Sequence, residues 1–268
     1  MRKVLALIAL FATSALMFAQ GQPPASTGPA PSVIPATGGN IRITPIKHAS
    51  FQIEHNNRFI QVDPVSSNNN AQAVMADIVL VTDIHGDHMD AKAINQFRKP
   101  EARVIAPAAV AKALGATVPN ITVIGNGQTR TDYGITIEAV PMYNLVRGPA
   151  AGQLFHDKGR GNGYVLTIGG KRLYIAGDTE CVPEMKALKN IDVAFVPMNL
   201  PYTMTPAEAA DCVKAFAPKI VYPYHYNQAA NAQEFTAALK DTPGIEVRTP
   251  DWYAAPPAAT PARGRGQQ

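Results

Sequence analysis

The chain of 268 residues has little of what most often carries covalent chemistry: two cysteines, one tryptophan and six histidines, with charged residues at only 16%. Cys181 and Cys212 permit one disulfide in an oxidising compartment but no disulfide framework, and whether the pair closes is a matter of geometry that spacing does not answer. No Gly-x-Ser-x-Gly segment occurs, so there is no strand-to-helix elbow to present a serine nucleophile. Nor is there a surplus of charge to hold nucleic acid. The formal net charge of +4 contains Arg2, Lys3, Arg263 and Arg265, and 4 − 4 leaves the rest of the chain balanced. A basic excess confined to the ends does not mark a nucleic-acid surface.

Long apolar runs are equally scarce. One, Val4 to Phe18 behind Met1-Arg2-Lys3, is shorter than the ~20 residues of a membrane-spanning helix and reads as the core of a secretory signal peptide over residues 1–19, cleaved after Ala19. The expected location is periplasmic or secreted, with no stable membrane insertion after cleavage. Residues 20–40 and 254–268 are rich in Pro, Ala and Gly, with too little apolar bulk to offset the entropy of ordering, and read as a flexible linker and a disordered tail. Residues 41–253 remain as one domain, long enough to bury a substantial core.

What is present is a regular alternation of short elements. IRITPI (41–46), SFQIE (50–54) and RFIQVD (58–63) read as strands, the last two joined by a turn at His55-Asn56-Asn57. The pattern then changes to DIVLVT from Asp77, helical AKAINQF from Ala91, RVIA from Arg103, a helix from Pro107 stopped by Gly115, and NITVI from Asn120. ITIEAV from Ile135 is followed by a polar loop over 142–162. GYVLTI and KRLYIA, joined by Gly169-Gly170, read as a hairpin. Strand IDVAFVP, a helix capped by Thr205 with Pro206 at its first position, strand KIVYP, a helix over 231–240 and strand IEV complete the domain. This order predicts a layered α/β fold.

The ligand-type side chains sit where the predicted strands end. Asp83 to His88, within VTDIHGDHMD (81–90), follow DIVLVT, Asp178 follows LYIA and His225 follows IVYP; loops beyond strand ends are where a rigid scaffold presents chemistry. Imidazole and carboxylate suit Zn²⁺, and Mn or Fe as carboxylates accumulate. Gly86 is expected to let the loop fold sharply around an ion. A lone histidine there would be read as an ordinary hydrogen-bonded loop residue; His85 and His88 with Asp83 and Asp87, directly after an apolar strand, point to a divalent metal.

The order HGDH (85–88), GDT (177–179) and PYH (223–225) resembles the metallo-β-lactamase-fold hydrolase superfamily, and KHASF, QVDP, GGKRLYIAGDT and YTMTP resemble its ascorbate-6-phosphate-lactonase-like branch. The resemblance spans about residues 41–250. It implies a four-layer αββα sandwich with the metals at one edge between the sheets. Asp83, His85 and a third residue would form a first metal site, Asp87, His88 and His225 a second, with Asp178 bridging. Two positions depart from the family pattern. Asp83 stands where the family carries histidine, adding negative charge and favouring harder cations. No histidine follows ITIEAV, where Pro141, Met142, Tyr143 and Asn144 stand, so His156 is the candidate third ligand, against the alternative of a loop histidine lining the pocket.

Around these, His48 either faces the metal edge or is structural, and Asp63 is expected to orient a ligating histidine. Lys158 and Arg160 read as anion-binding or solvated loop cations, and Tyr143, Tyr202 and Tyr224 as oxyanion donors or packing residues. The expected activity is hydrolysis of an ester, lactone or phosphodiester bond in a small-molecule substrate by a metal-activated water held by Asp87 or Asp178. The alternative is a non-catalytic metal- or ligand-binding protein on the same fold; a di-iron redox role ranks third.

Overall fold

In the computed structural model, which describes residues 30–68 and 73–253, each half of the chain builds its own seven-stranded sheet. The first contains β1 (Ser32–Ile34), β2 (Ile41–Lys47), β3 (Ser50–His55), β4 (Arg58–Val62), β5 (Ala76–Leu80), β6 (Arg98–Ala106) and β7 (Ile121–Val123), neighbours in sequence being neighbours in space. The second contains β8 (Thr129–Asp132), β9 (Ile135–Met142), β10 (Gly161–Ile168), β11 (Lys171–Ile175), β12 (Val193–Met198), β13 (Ile220–Tyr226) and β14 (Glu246–Val247) in the same serial arrangement. Both sheets are mixed in the same way. Strands β1 to β4 pair antiparallel and β4 to β7 parallel; β8 to β11 pair antiparallel and β11 to β14 parallel.

Parallel neighbours need crossovers, and the α-helices of the described residues all lie in them: α1 (Ala91–Phe97) and α2 (Ala108–Leu114) in the first half, α3 (Pro183–Lys186), α4 (Pro206–Phe216) and α5 (Ala229–Leu239) in the second. Successive side chains of a strand point to opposite faces, and β5 shows how this makes four layers. Ile78 and Leu80 enter the core between the sheets, while Val79 and Val81 pack with Ile94 of α1 and Val110 of α2 on the outside. Phe51 of β3 stacks on Phe195 of β12 across the two sheets, ring centroids 4.2 Å apart, and the fully buried Trp252 meets both rings edge-on. The αββα sandwich expected from the sequence is the fold observed. Among the described residues no helix is long and apolar enough to cross a membrane.

The structure changes one expectation and adds two features. The chain is ordered before residue 41: Ser32–Ile34 pair with Ile41–Ile43 and bury Ile34, so the apolar pair Val33-Ile34 forms an edge strand within the segment read as linker. The signal-peptide reading of 1–19, residues 20–29 of the linker and the 254–268 tail lie outside the described residues. β8, with sequence TRTD, has no apolar residue to announce it; it is held by its ladder to β9 and by Arg130 bonding Asp132. Cys181, just beyond β11, is joined by a disulfide to Cys212 of α4, with Cα atoms 5.6 Å apart.

Candidate metal centre

β5 runs directly into the 81–90 loop. Its tip is one turn of helix, in which the carbonyl of His85 accepts from the amides of His88 at 3.0 Å and Met89 at 2.9 Å. Asp90 then caps α1, accepting from the amides of Lys92 and Ala93. Gly86 is not required by this turn: its φ is not left-handed and an added Cβ would meet nothing within 4 Å. The glycine that matters is Gly177, at φ +66°, where a Cβ would lie 2.5 Å from the sulfur of Met142. It lets the chain turn from β11 and place Asp178.

The seven candidate ligands converge. Asp83 Oδ2 lies 3.0 Å from His85 Nδ1, which lies 3.2 Å from His156 Nε2. On the other side His88 Nε2 and His225 Nε2 are 3.0 Å apart, and Asp87 Oδ2 is 3.2 Å from His225 Nε2. Asp178 stands between: Oδ2 is 3.2 Å from His156 and 3.3 Å from His88, and Oδ1 is 3.2 Å from His225. Two half-sites thus share one carboxylate.

His156 arrives by an indirect route. Asn144, just after β9, accepts with Oδ1 both the His156 backbone amide at 2.9 Å and its Nδ1–H at 2.6 Å, drawing in a histidine from twelve residues further on. His225 lies within β13, not beyond the strand as expected. The β12–β13 register slips between Pro197 and Met198, and His225, at φ +50°, is the extra residue of a bulge that re-aims its side chain toward the centre.

Each buried imidazole is held from behind, as ligating histidines are. His88 donates from Nδ1 to Asp63 Oδ2 at 2.8 Å, and Asp63 also accepts from the amide and hydroxyl of Thr82. This is the orienting position expected of Asp63. Nδ1 of His225 lies 3.3 Å from the Asn199 amide nitrogen, while the Asn199 Oδ1 is buried without a partner; an amide turned half a revolution lets the oxygen accept from Nδ1–H and satisfies both. His48 faces the edge: its ring lies over His225 at 3.9 Å, Nε2 is 3.3 Å from Asp87 Oδ2, and Nδ1 is 2.8 Å from the hydroxyl of Tyr253.

Electrostatics favour a cation here. Burial opposes charge on His88, yet Asp178 and Asp63 push its pKa well above the ordinary value. Burial likewise opposes charge on Asp178, yet His225 and His88 hold it well below the usual carboxylate range. The carboxylate of Asp87 is also depressed: burial raises its pKa, and hydrogen bonds with His225 and His48 more than reverse this. Asp178 Oδ1 is buried without a hydrogen bond, and two ring nitrogens face each other at 3.0 Å where at most one proton fits. Divalent cations among these donors would satisfy all of them, so the residues fit the metal their chemistry suggests.

The cations near the site are already committed. Arg160 pairs with Asp83 through two hydrogen bonds and is neither a free anion binder nor a solvated loop residue, whereas Lys158 bonds Glu184 but stays exposed, the solvated loop cation considered above. Tyr143 donates to Glu184 and Tyr224 accepts from the Gly177 amide; both are structural. Tyr202 reaches the site, where a cavity of 310 Å³ is lined by His85, Asp87, Phe155, Asp178, Asn199 and Tyr202. A larger groove of 610 Å³ along α5 is lined by none of the clustered ligands. Asn144, Phe155 and Asn199 carried no sequence signal by residue type, though Asn199 directly follows the end of β12.

Two mixed sheets between helices, with imidazoles and carboxylates from both halves meeting at one edge, define the metallo-β-lactamase-fold class of metal-dependent hydrolases. Residues 42–225 match the family described as the β-lactamase superfamily domain, and the chain belongs to that family. A "UPF0173 metal-dependent hydrolase" of Thermococcus onnurineus is 31% identical over 78% of this chain and 97% of its own length. A crystal structure from Parabacteroides distasonis, described as a metal-dependent hydrolase, is 44% identical, with TM-score 0.76 over 83% of this chain and 98% of that one. The metallo hydrolase Igni18 of Ignicoccus hospitalis shares the fold, with TM-score 0.65 at 24% identity over 78% of this chain and 94% of its own.

Proposed function

We propose that the protein hydrolyses an uncharged ester or lactone with an apolar group beside the scissile bond, and that ester and lactone substrates are preferred over phosphodiesters. The observation that carries this is the lining of the 310 Å³ cavity: His85, Asp87 and Asp178 from the two half-sites, the edge-to-face pair Phe155 and Tyr202 with centroids 4.9 Å apart, and, among the described residues, no lysine or arginine. Arg147 is paired with Glu180 and Glu208 and Arg160 with Asp83, while Lys158, exposed and bonded to Glu184, lies outside the lining. A phosphodiester would find no side-chain counter-charge, whereas an apolar acyl group would find an aromatic wall.

Asp83, His85 and His156 would hold one ion, Asp87, His88 and His225 a second, with Asp178 shared, and Zn²⁺ suits this donor set. When bound, such ions supply an acidified water and a Lewis acid for the substrate's carbonyl oxygen. The chain does the rest. Asp87, about two-fifths exposed and lining the cavity, accepts a hydrogen bond from the attacking water and keeps its oxygen aimed at the acyl carbon. Its depressed pKa leaves it ionised and able to accept at neutral pH. Phe155 and Tyr202 seat the apolar group and exclude bulk water.

The test is an assay of the purified, metal-replete protein on matched ester, lactone and phosphodiester panels, repeated after dialysis against a chelator. The expected result is metal-dependent turnover of an ester or lactone at least about tenfold above any phosphodiester, lost in Asp87→Ala and His225→Ala. Full activity of the metal-free protein would sink the mechanism, and a phosphodiester as best substrate would overturn the substrate class. Silence on all three panels would favour a binding protein. A periplasmic or secreted location is part of the proposal, supported by the residue 1–19 pattern and by the Cys181–Cys212 disulfide, which suits an oxidising compartment; recovery of the chain from the cytoplasmic fraction would refute it.

A further inference from the structure

The two half-sites are matched in donor chemistry. Asp83 clusters with His85 and His156; Asp87 lies against His225 and His88 and also against His48, whose Nε2 is 3.3 Å away; and Asp178 is common to both half-sites. On one carboxylate and two imidazoles apiece the two positions would bind a cation about equally, and His48 adds a further nitrogen beside the second. What distinguishes them is Arg160, whose Nε donates to Asp83 Oδ1 at 3.1 Å and whose Nη2 donates to Oδ2 at 2.9 Å. Asp83 is fully buried and the Arg160 side chain is 19% exposed, so solvent does little to screen this charge from an ion a few ångströms away. Asp87 has no such partner among the described residues: its contacts are His48, His88 and His225.

We propose that Arg160 makes the two metal positions unequal, so that the Asp87–His88–His225 position fills first and the Asp83–His85–His156 position holds its ion more weakly and exchanges it. The inference rests on the two-ion reading above. Two effects act in the same direction. The guanidinium repels a cation and draws electron density from the carboxylate. It also bonds both Asp83 oxygens, so that an ion at Oδ2, which faces His85 and His156, must share that oxygen with Nη2. Arg160 is therefore a positioning residue: it sets the affinity of one ion without lining the substrate cavity. The exchangeable ion would make turnover respond to free metal concentration while the tighter ion stays in place.

Titration of the metal-stripped full chain with Zn²⁺, in competition with a chromophoric chelator, tests this directly. The wild-type chain should take up two ions with dissociation constants at least about tenfold apart. His156→Ala should abolish the weaker and His225→Ala the tighter. Arg160→Met should tighten the weaker constant and close the gap, whereas Arg160→Lys, which keeps the charge, should leave a gap; Arg160→Gln replaces Arg160→Met if that variant does not fold. Equal constants in the wild type, or a gap that persists or widens in the neutral variant, would overturn the proposal while leaving the two-ion reading intact. Uptake of fewer than two ions by the wild type would overturn both.

Discussion

Three residues around the metal centre hold backbone conformations that side chains normally avoid: His48 at φ 57°, Asp63 at 45° and His225 at 50°. Such positions cost about 1–3 kcal/mol each and persist only where the surroundings over-determine them. Asp63 illustrates the compensation, since it accepts two hydrogen bonds from Thr82 and one from His88. Replacing it by asparagine keeps the volume but removes the charge that fixes the His88 tautomer. Asp63→Asn should weaken ion binding at the Asp87–His88–His225 position by about 10–100-fold in chelator competition; an unchanged affinity would show that His88 needs no anionic partner. His85, His88, Asp178 and His225 were legible in the sequence because few residue types bind metals and these stand at or near strand ends. Asn144 and Asn199 were not, because an asparagine reads as a loop residue until the fold brings its histidine to it.

At the scale of elements, Asp77 at the start of β5 ties three strands together. It accepts from Arg58 at 2.7 Å and the Phe59 amide at 2.9 Å, both in β4, and from Lys99 of β6 at 2.8 Å. Burial raises its pKa, but these donors more than offset that and hold it below the ordinary 3.8. A depressed folded-state pKa means stability that is present above pH ~4 and lost as the pH falls through the folded value. Asp77→Asn should therefore destabilise the protein by about 1–2 kcal/mol at pH 7, discounted for the partly exposed cations, and by progressively less below pH ~3. Urea titrations at the two pH values check this; equal losses at both would exclude the charge as the source. Most strands were readable from apolar alternation. The bulge in β13 was not, because a bulge is a property of pairing between β12 and β13 and leaves no mark on the period of PYHY itself.

At the scale of the whole molecule, the Cys181–Cys212 disulfide closes a segment with a sequence separation of 31 between the loop that carries Asp178 and helix α4. Loop-closure entropy for that length is worth about 3–4 kcal/mol, or a melting shift of about 10 °C for a domain of this size. Cys181→Ser with Cys212→Ser should show that loss in a thermal melt, and a change of under about 2 °C would mean that packing alone holds α4. The serial layout of the two sheets has a further consequence. Asp83, His85, Asp87 and His88 belong to the half of the chain that a ribosome makes first, and His156, Asp178 and His225 to the half made last. A nascent chain thus carries its first four candidate ligands long before it can complete either set. With these residues as ligands, metal capture would be a late step in maturation, an internal certificate that both halves have been synthesised and docked.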